Sequence, residues 1–144
     1  MAIKLTCLAC GQANRVPQEK LGAGPKCGVC GAGLVGGAPV DVSFDVLEKA
    51  ARTDELPLVV DFWAAWCGPC RMMAPEFAKA ARALQGRARF AKLDTETAPQ
   101  AGARYGIRGI PLLIAFHRGR EAKRQAGVQP AAAIVDWVGG IVPA

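Results

Sequence analysis

All six cysteines of this 144-residue chain fall into three C-x-x-C pairs: Cys7/Cys10, Cys27/Cys30 and Cys67/Cys70. Two thiols at this spacing can point at one centre, either a metal ion or each other. In a compartment that keeps thiols reduced, such pairs indicate metal binding or redox chemistry rather than structural disulfides. The surroundings of the three pairs divide them into four cysteines plus two.

The first four read C-x2-C-x16-C-x2-C. Two knuckles about 15–20 residues apart are the sequence form of a four-thiolate zinc site. The segment around them is rich in glycine, and its apolar residues (Ile3, Leu5, Leu8, Val16, Leu21, Val29, Leu34, Val35) follow no helical period. So small a segment cannot bury enough of itself to fold without a staple, and zinc at Cys7, Cys10, Cys27 and Cys30 would supply one. Gly11 and Gly31 follow the pairs and let the backbone turn tightly. A closed four-ligand site is structural by default, and it can also sense oxidation, because oxidised thiols release metal. Two disulfides, or iron on the same ligands, are the alternatives. Gly33 to Pro39 reads as a linker, so the chain divides into residues 1–37 and 38–144.

From Val40 the pattern changes. Val40 and Val42 suit a short strand, and Ser43 suits an N-cap for a helix with Phe44, Leu47, Ala50 and Ala51 on one face. Leu58 to Trp63 is an apolar run broken only by Asp61, as in a central strand buried on both faces. A long helix containing Pro75 follows Cys67, with Met73, Phe77, Ala80, Ala81 and Leu84 on one side. Arg87 to Leu93 reads as a strand. Thr97 is a candidate cap for a helix through Tyr105, ended by Gly106. Leu112 to Phe116 and Glu121 to Gln125 read as strands joined by a turn at His117–Arg120, with His117 solvated. Pro130 opens a last helix. Strands alternating with helices predict an α/β fold, a sheet between helical layers.

Cys67 and Cys70 have no further cysteine pair to complete a metal site, so they read as a dithiol/disulfide couple. At the start of a helix, unpaired N–H groups and the helix dipole favour the Cys67 thiolate, the nucleophile of thiol–disulfide exchange. Cys70, one turn on and expected to be more buried, would resolve the mixed disulfide. Gly68 permits a tight turn, and Pro69 is tolerated in the first turn. Asp61 is costly to bury and its pKa should rise, which would let it exchange a proton with Cys70 near neutral pH. Otherwise it faces solvent or pairs with a lysine such as Lys92.

The stretch Val59-Val60-Asp61-Phe62-Trp63-Ala64-Ala65-Trp66-Cys67-Gly68-Pro69-Cys70-Arg71 resembles the thioredoxin active-site segment, and Tyr105-Gly106-Ile107-Arg108-Gly109-Ile110-Pro111 resembles that family's second landmark. The likeness covers residues from about 40 onward. With the front knuckles, the chain resembles the zinc-containing thioredoxins, the thioredoxin 2 type. The resemblance implies a thioredoxin fold, a central mixed sheet with helices on both faces, behind a small zinc-ribbon domain. It implies a cis bond before Pro111 and an apolar platform for substrate made by Trp66, Gly68, Pro69, Ile110, Pro111 and Gly127. Trp63 would pack under the site, and Lys92 would tune Asp61. Two positions depart from the usual pattern: Leu112 stands where Thr is common, and Arg71 where many relatives have Lys.

The activity so implied is reduction of protein disulfides, with electrons from NADPH through thioredoxin reductase and no bound nucleotide. Formal charge is +6, spread thinly over both parts, so no nucleic-acid partner is expected. No signal peptide or membrane span is read, and a cytoplasmic monomer is the expectation.

Overall fold

In a computed structural model, which describes residues 1–142, the chain builds two sheets. The elements are β1 (Ala2–Thr6), β2 (Ala13–Pro17), a 3-10 turn at Gln18–Lys20, β3 (Val40–Asp41), α1 (Phe44–Thr53), β4 (Leu58–Trp63), α2 (Gly68–Ala83), β5 (Arg89–Asp94), α3 (Gln100–Tyr105), β6 (Leu112–His117), β7 (Arg120–Ala126) and α4 (Ala131–Gly139).

The larger sheet has the order β3-β5-β4-β6-β7. β3, β5 and β4 run parallel, and β6 and β7 are antiparallel additions. This is the mixed sheet of the thioredoxin fold. β4 lies at its centre, which explains its unbroken apolar run: both faces are covered. Leu58, Val60 and Phe62 pack with Leu47 and Ala50 of α1 and Ala101 and Tyr105 of α3. Val59 points the other way, toward Met73, Phe77 and Ala80 of α2 and Ile134 and Val138 of α4. Because side chains alternate along a strand, Asp61 shares the face of Val59. It therefore lies on the side of the sheet covered by α2, the helix that begins at the redox cysteines.

Local signals largely hold. Ser43 Oγ accepts the Val46 N–H at 3.2 Å, and Gly106 closes α3 in the left-handed region. The β6–β7 turn has positive φ at both Arg118 and Gly119, the twist that suits a two-residue hairpin. Pro75 sits inside α2, which continues through it. Three readings need correction. α3 starts only at Gln100, with Pro99 at its N-cap, and the Thr97 hydroxyl bonds back to the Asp94 carbonyl instead of capping. His117 is not a solvated turn residue but the half-buried end of β6, paired with Arg120. In the front segment, β1 and β2 form an antiparallel hairpin with Ile3, Leu5 and Val16 buried. Leu34 and Val35, within the stretch read as linker, are buried with them.

Candidate active site and metal centre

β4 ends at Trp63, and the loop Ala64–Trp66 delivers Cys67 to the N-cap of α2. Arg71 Nη1 donates to the Ala65 carbonyl at 2.7 Å and so clips this loop to the first turn of the helix. Cys67 and Cys70 are joined in a disulfide. Cys67 Sγ accepts the Cys70 N–H at 3.2 Å, so a backbone donor of the helix N-terminus is aimed at the sulfur. The expected difference in burial is absent, since Cys67 is 4% and Cys70 3% exposed. Gly68 adopts no left-handed backbone, so the turn does not depend on it.

The loop before β6 approaches from the side. The Ile110–Pro111 bond is cis, and the Ile110 carbonyl lies 3.8 Å from Cys67 Sγ. Gly127, at φ 89°, donates its N–H to the Pro111 carbonyl at 3.0 Å. Trp66 is 66% exposed beside the disulfide. Between Trp66 and the Ile107–Ile110 loop lies an open groove of about 490 Å³, which Thr95 and Pro99 also line. Ile107 to Gly109 lie inside the segment already singled out in the sequence. Thr95 and Pro99 come from the β5–α3 connection, and no local signal marks them.

Asp61 is fully buried, and among the described residues neither of its carboxylate oxygens has a hydrogen-bond partner. Burial pushes its pKa up to about 6, against the pull of the Lys92 charge. Lys92 is its register partner on β5, and its ammonium sits over the Trp63 ring at 4.9 Å from the centroid. The sequence-derived residues Asp61, Trp63, Lys92, Trp66, Gly68, Pro69, Ile110, Pro111 and Gly127 thus lie along the carboxyl halves of β4 and β5, at the start of α2, in the loop before β6 and just after β7.

The four front cysteines converge separately. Their sulfurs all lie within 4.8 Å of one another, with Cys7 to Cys30 at 3.6 Å and Cys10 to Cys27 at 3.7 Å. A tetrahedron with zinc–sulfur bonds of about 2.3 Å has edges of about 3.8 Å, so the cluster fits that ion. The two knuckles repeat one geometry. The Cys7 N–H bonds the Gln12 carbonyl and the Gly11 N–H the Cys7 carbonyl, and the second knuckle does the same with Cys27, Ala32 and Gly31. Asn14 Oδ1 accepts the Gly28 N–H at 3.0 Å and ties the hairpin to the second knuckle. Backbone N–H groups of Cys30 and Val29 lower the Cys27 thiol to about 6, toward the thiolate that a metal requires. The Gln12 backbone pulls Cys10 the same way, but burial and the neighbouring thiols outweigh it and push Cys10 to about 12.

Known proteins agree with this geometry. The family model described as Thioredoxin matches residues 41–139, and that described as Thioredoxin 2, N-terminal, a zinc ribbon, matches residues 6–32. Thioredoxin C-3 of Corynebacterium nephridii is 37% identical over 134 residues, covering 93% of this chain and 92% of that protein. Thioredoxin of Rhodospirillum rubrum is 41% identical over 98 residues, covering 68% and 91%. Among solved structures, chloroplastic thioredoxin z superposes with a TM-score of 0.67 at 32% identity, over 72% of this chain and 94% of that one. A mutant thioredoxin from Halobacterium salinarum has a TM-score of 0.67 at 28% identity, over 75% and 94%. With its redox couple at Cys67 and Cys70 and its metal-type cysteine cluster in front, the chain belongs to the thioredoxin family of thiol–disulfide oxidoreductases.

Proposed function

We propose that the chain reduces protein disulfides with Cys67 as nucleophile, Cys70 as resolving thiol and Asp61 as the proton acceptor. The Cys67 thiolate attacks one sulfur of a substrate disulfide. A Cys67–substrate disulfide forms, and the other substrate sulfur leaves as a thiolate. Asp61 takes the Cys70 proton, and the Cys70 sulfur attacks Cys67. The substrate leaves with two electrons and the enzyme keeps the Cys67–Cys70 disulfide. One observation carries this reading: the disulfide lies at a helix N-terminus beside the Ile110 carbonyl, and a buried carboxyl with a pKa near neutral lies on the same side of the sheet.

Trp66, Gly68, Pro69, Ile110, Pro111 and Gly127 hold the substrate chain, which docks in extended form through backbone hydrogen bonds. Trp63 shields Asp61, and Lys92 limits how far its pKa rises. Cys7, Cys10, Cys27 and Cys30 hold one zinc ion, whose binding energy folds the ribbon. Electrons come from NADPH through thioredoxin reductase, and the protein works as a cytoplasmic monomer without nucleic acid or membrane. Residues 1–37 form the ribbon with its linker, and residues 38–144 the thioredoxin domain.

The test is NADPH-coupled reduction of insulin with thioredoxin reductase as donor. Steady NADPH consumption that depends on this protein is expected. No consumption from a chain with a reducible Cys67–Cys70 pair would sink the reductase reading.

A further inference from the structure

The ribbon meets the thioredoxin domain across a buried ion pair. Asp54, the C-cap of α1, and Arg89, the first residue of β5, are 2% and 4% exposed and bonded to each other. Both belong to the thioredoxin domain, yet their remaining contacts reach the ribbon. Asp54 Oδ1 accepts the Thr6 N–H at 2.8 Å, and Arg89 Nη1 donates to the Leu34 carbonyl at 3.2 Å. Thr6 immediately precedes Cys7 of the first knuckle. Leu34 stands just beyond the second knuckle, past the Lys26–Gly33 bridge that closes it. One ion pair therefore grips the chain entering the first knuckle and the chain leaving the second.

The surrounding contacts point the same way. Glu55 donates its N–H to the Lys4 carbonyl at 3.0 Å, and its side chain accepts the Lys4 N–H at 2.6 Å. Leu56 is buried among Ile3, Leu5, Cys7, Val16, Cys27, Leu34 and Val35 of the ribbon. A buried ion pair is costly to desolvate and is often no better than an apolar pair of the same size unless its other polar atoms are satisfied. Here the ribbon backbone satisfies two of them, and Arg89 Nε stays buried without a partner among the described residues.

We propose that Asp54 and Arg89 are positioning residues for the metal centre: from outside the cysteine cluster they fix the approach of both knuckles and so slow release of the metal. The proposal rests on reading the four cysteines as zinc ligands. Coupling of this kind is reciprocal. A metal that holds the knuckles also keeps the Thr6 N–H and Leu34 carbonyl where the ion pair needs them.

The experiment follows transfer of zinc from the purified full-length protein to a colorimetric chelator at neutral pH, with thermal melting recorded alongside. Arg89→Lys keeps the charge facing Asp54 but is too short and too narrow to bond the Leu34 carbonyl as well. The double variant Asp54→Leu/Arg89→Met replaces the pair with apolar side chains, which restores packing but neither hydrogen bond to the ribbon. Zinc transfer at least tenfold faster than wild type is expected for both, even where melting is unchanged. Transfer within twofold of wild type in Arg89→Lys, or recovery of both melting and zinc retention in the double variant, would overturn the proposal and leave the pair a structural contact. If the double variant does not fold, Arg89→Lys decides alone. A wild-type protein without zinc would overturn the zinc reading itself, and this proposal with it.

Discussion

Replacing Asp61 with Asn should stabilise the protein at alkaline pH relative to acid pH, by an amount that follows from the carboxyl's burial. In the folded chain this group titrates near 6, against an ordinary 3.8. Below 3.8 it is protonated whether the chain is folded or not, so it leaves stability unchanged. Between 3.8 and about 6 the unfolded chain has released a proton that the folded chain still holds. Rising pH then favours unfolding, and stability falls. Above about 6 the penalty is constant, at about 3 kcal/mol from 1.36 kcal/mol per pH unit. Asn has no such proton, so the advantage of Asp61→Asn over wild type should be about 2–3 kcal/mol larger at pH 8 than at pH 4. Comparing two pH values removes the cost of burying an unpaired amide, which is the same at both. Denaturant unfolding of the oxidised proteins measures the difference: the joined Cys67 and Cys70 do not titrate, and the ribbon thiols titrate alike in both chains. A difference below about 0.5 kcal/mol would show that Asp61 ionises near its ordinary value, and would remove it from the proton chemistry of Cys70.

Other expectations concern the same site. Lys92→Met removes the charge that holds Asp61 down, so the acid limb of the pH–rate profile for insulin reduction should move up by about half a pH unit or more; an unmoved limb would separate the two residues functionally. Cys70→Ser should accumulate a Cys67–substrate disulfide, visible as an adduct by mass spectrometry after mixing with oxidised insulin, and turnover at the wild-type rate would contradict the two-thiol mechanism. Gly127→Ala places a side chain at φ 89°, which costs about 1–2 kcal/mol, and the KM for insulin should rise more than kcat falls; an unchanged KM would detach Gly127 from the substrate platform.

The thioredoxin half was legible because its signals are local or periodic. Leu58 to Trp63 read as a doubly covered strand, and it is one. Asp61 stood out because a carboxylate in such a run has nowhere to go but inside. Ser43 and Gly106 marked helix ends through chemistry confined to one turn. At Thr97 and His117 the outcome turns on a competing partner only three residues away. Thr97 has the right chemistry for a cap, but the Asp94 carbonyl claims its hydroxyl and Pro99 takes the N-cap position instead. His117 sits next to a turn in sequence, yet pairing with Arg120 makes it the last residue of a strand. Thr95 and Pro99 line the groove beside Trp66 because the connection from β5 to the start of α3 passes the Ile107–Ile110 loop.

The ribbon was legible in its ligands and not in its fold, for a physical reason. Four thiolates dictate a tetrahedron whatever the intervening chain does, so spacing alone reveals the centre. The hairpin of β1 and β2 has strands of only five residues each, and the alternation of β1 already breaks at Leu5 and Thr6, both buried. Leu34 and Val35 sit between glycines in sequence, so a composition reading assigns them to a linker, while the actual core recruits them alongside Leu56 from the other domain. Their burial thus joins the ribbon's own core to one residue of the thioredoxin domain, Leu56. The same holds for Asp54 and Arg89, 35 residues apart on different elements. Neither shows a pattern in sequence, and beyond each other the groups they bond, the Thr6 N–H and the Leu34 carbonyl, lie in the ribbon. The part of the molecule that the sequence concealed is therefore the contact between its domains. The redox pair needs only its own strand, helix and loop to be recognised; the chain on either side of the cysteine cluster is also bonded by Asp54 and Arg89, which the ribbon's own sequence does not mention.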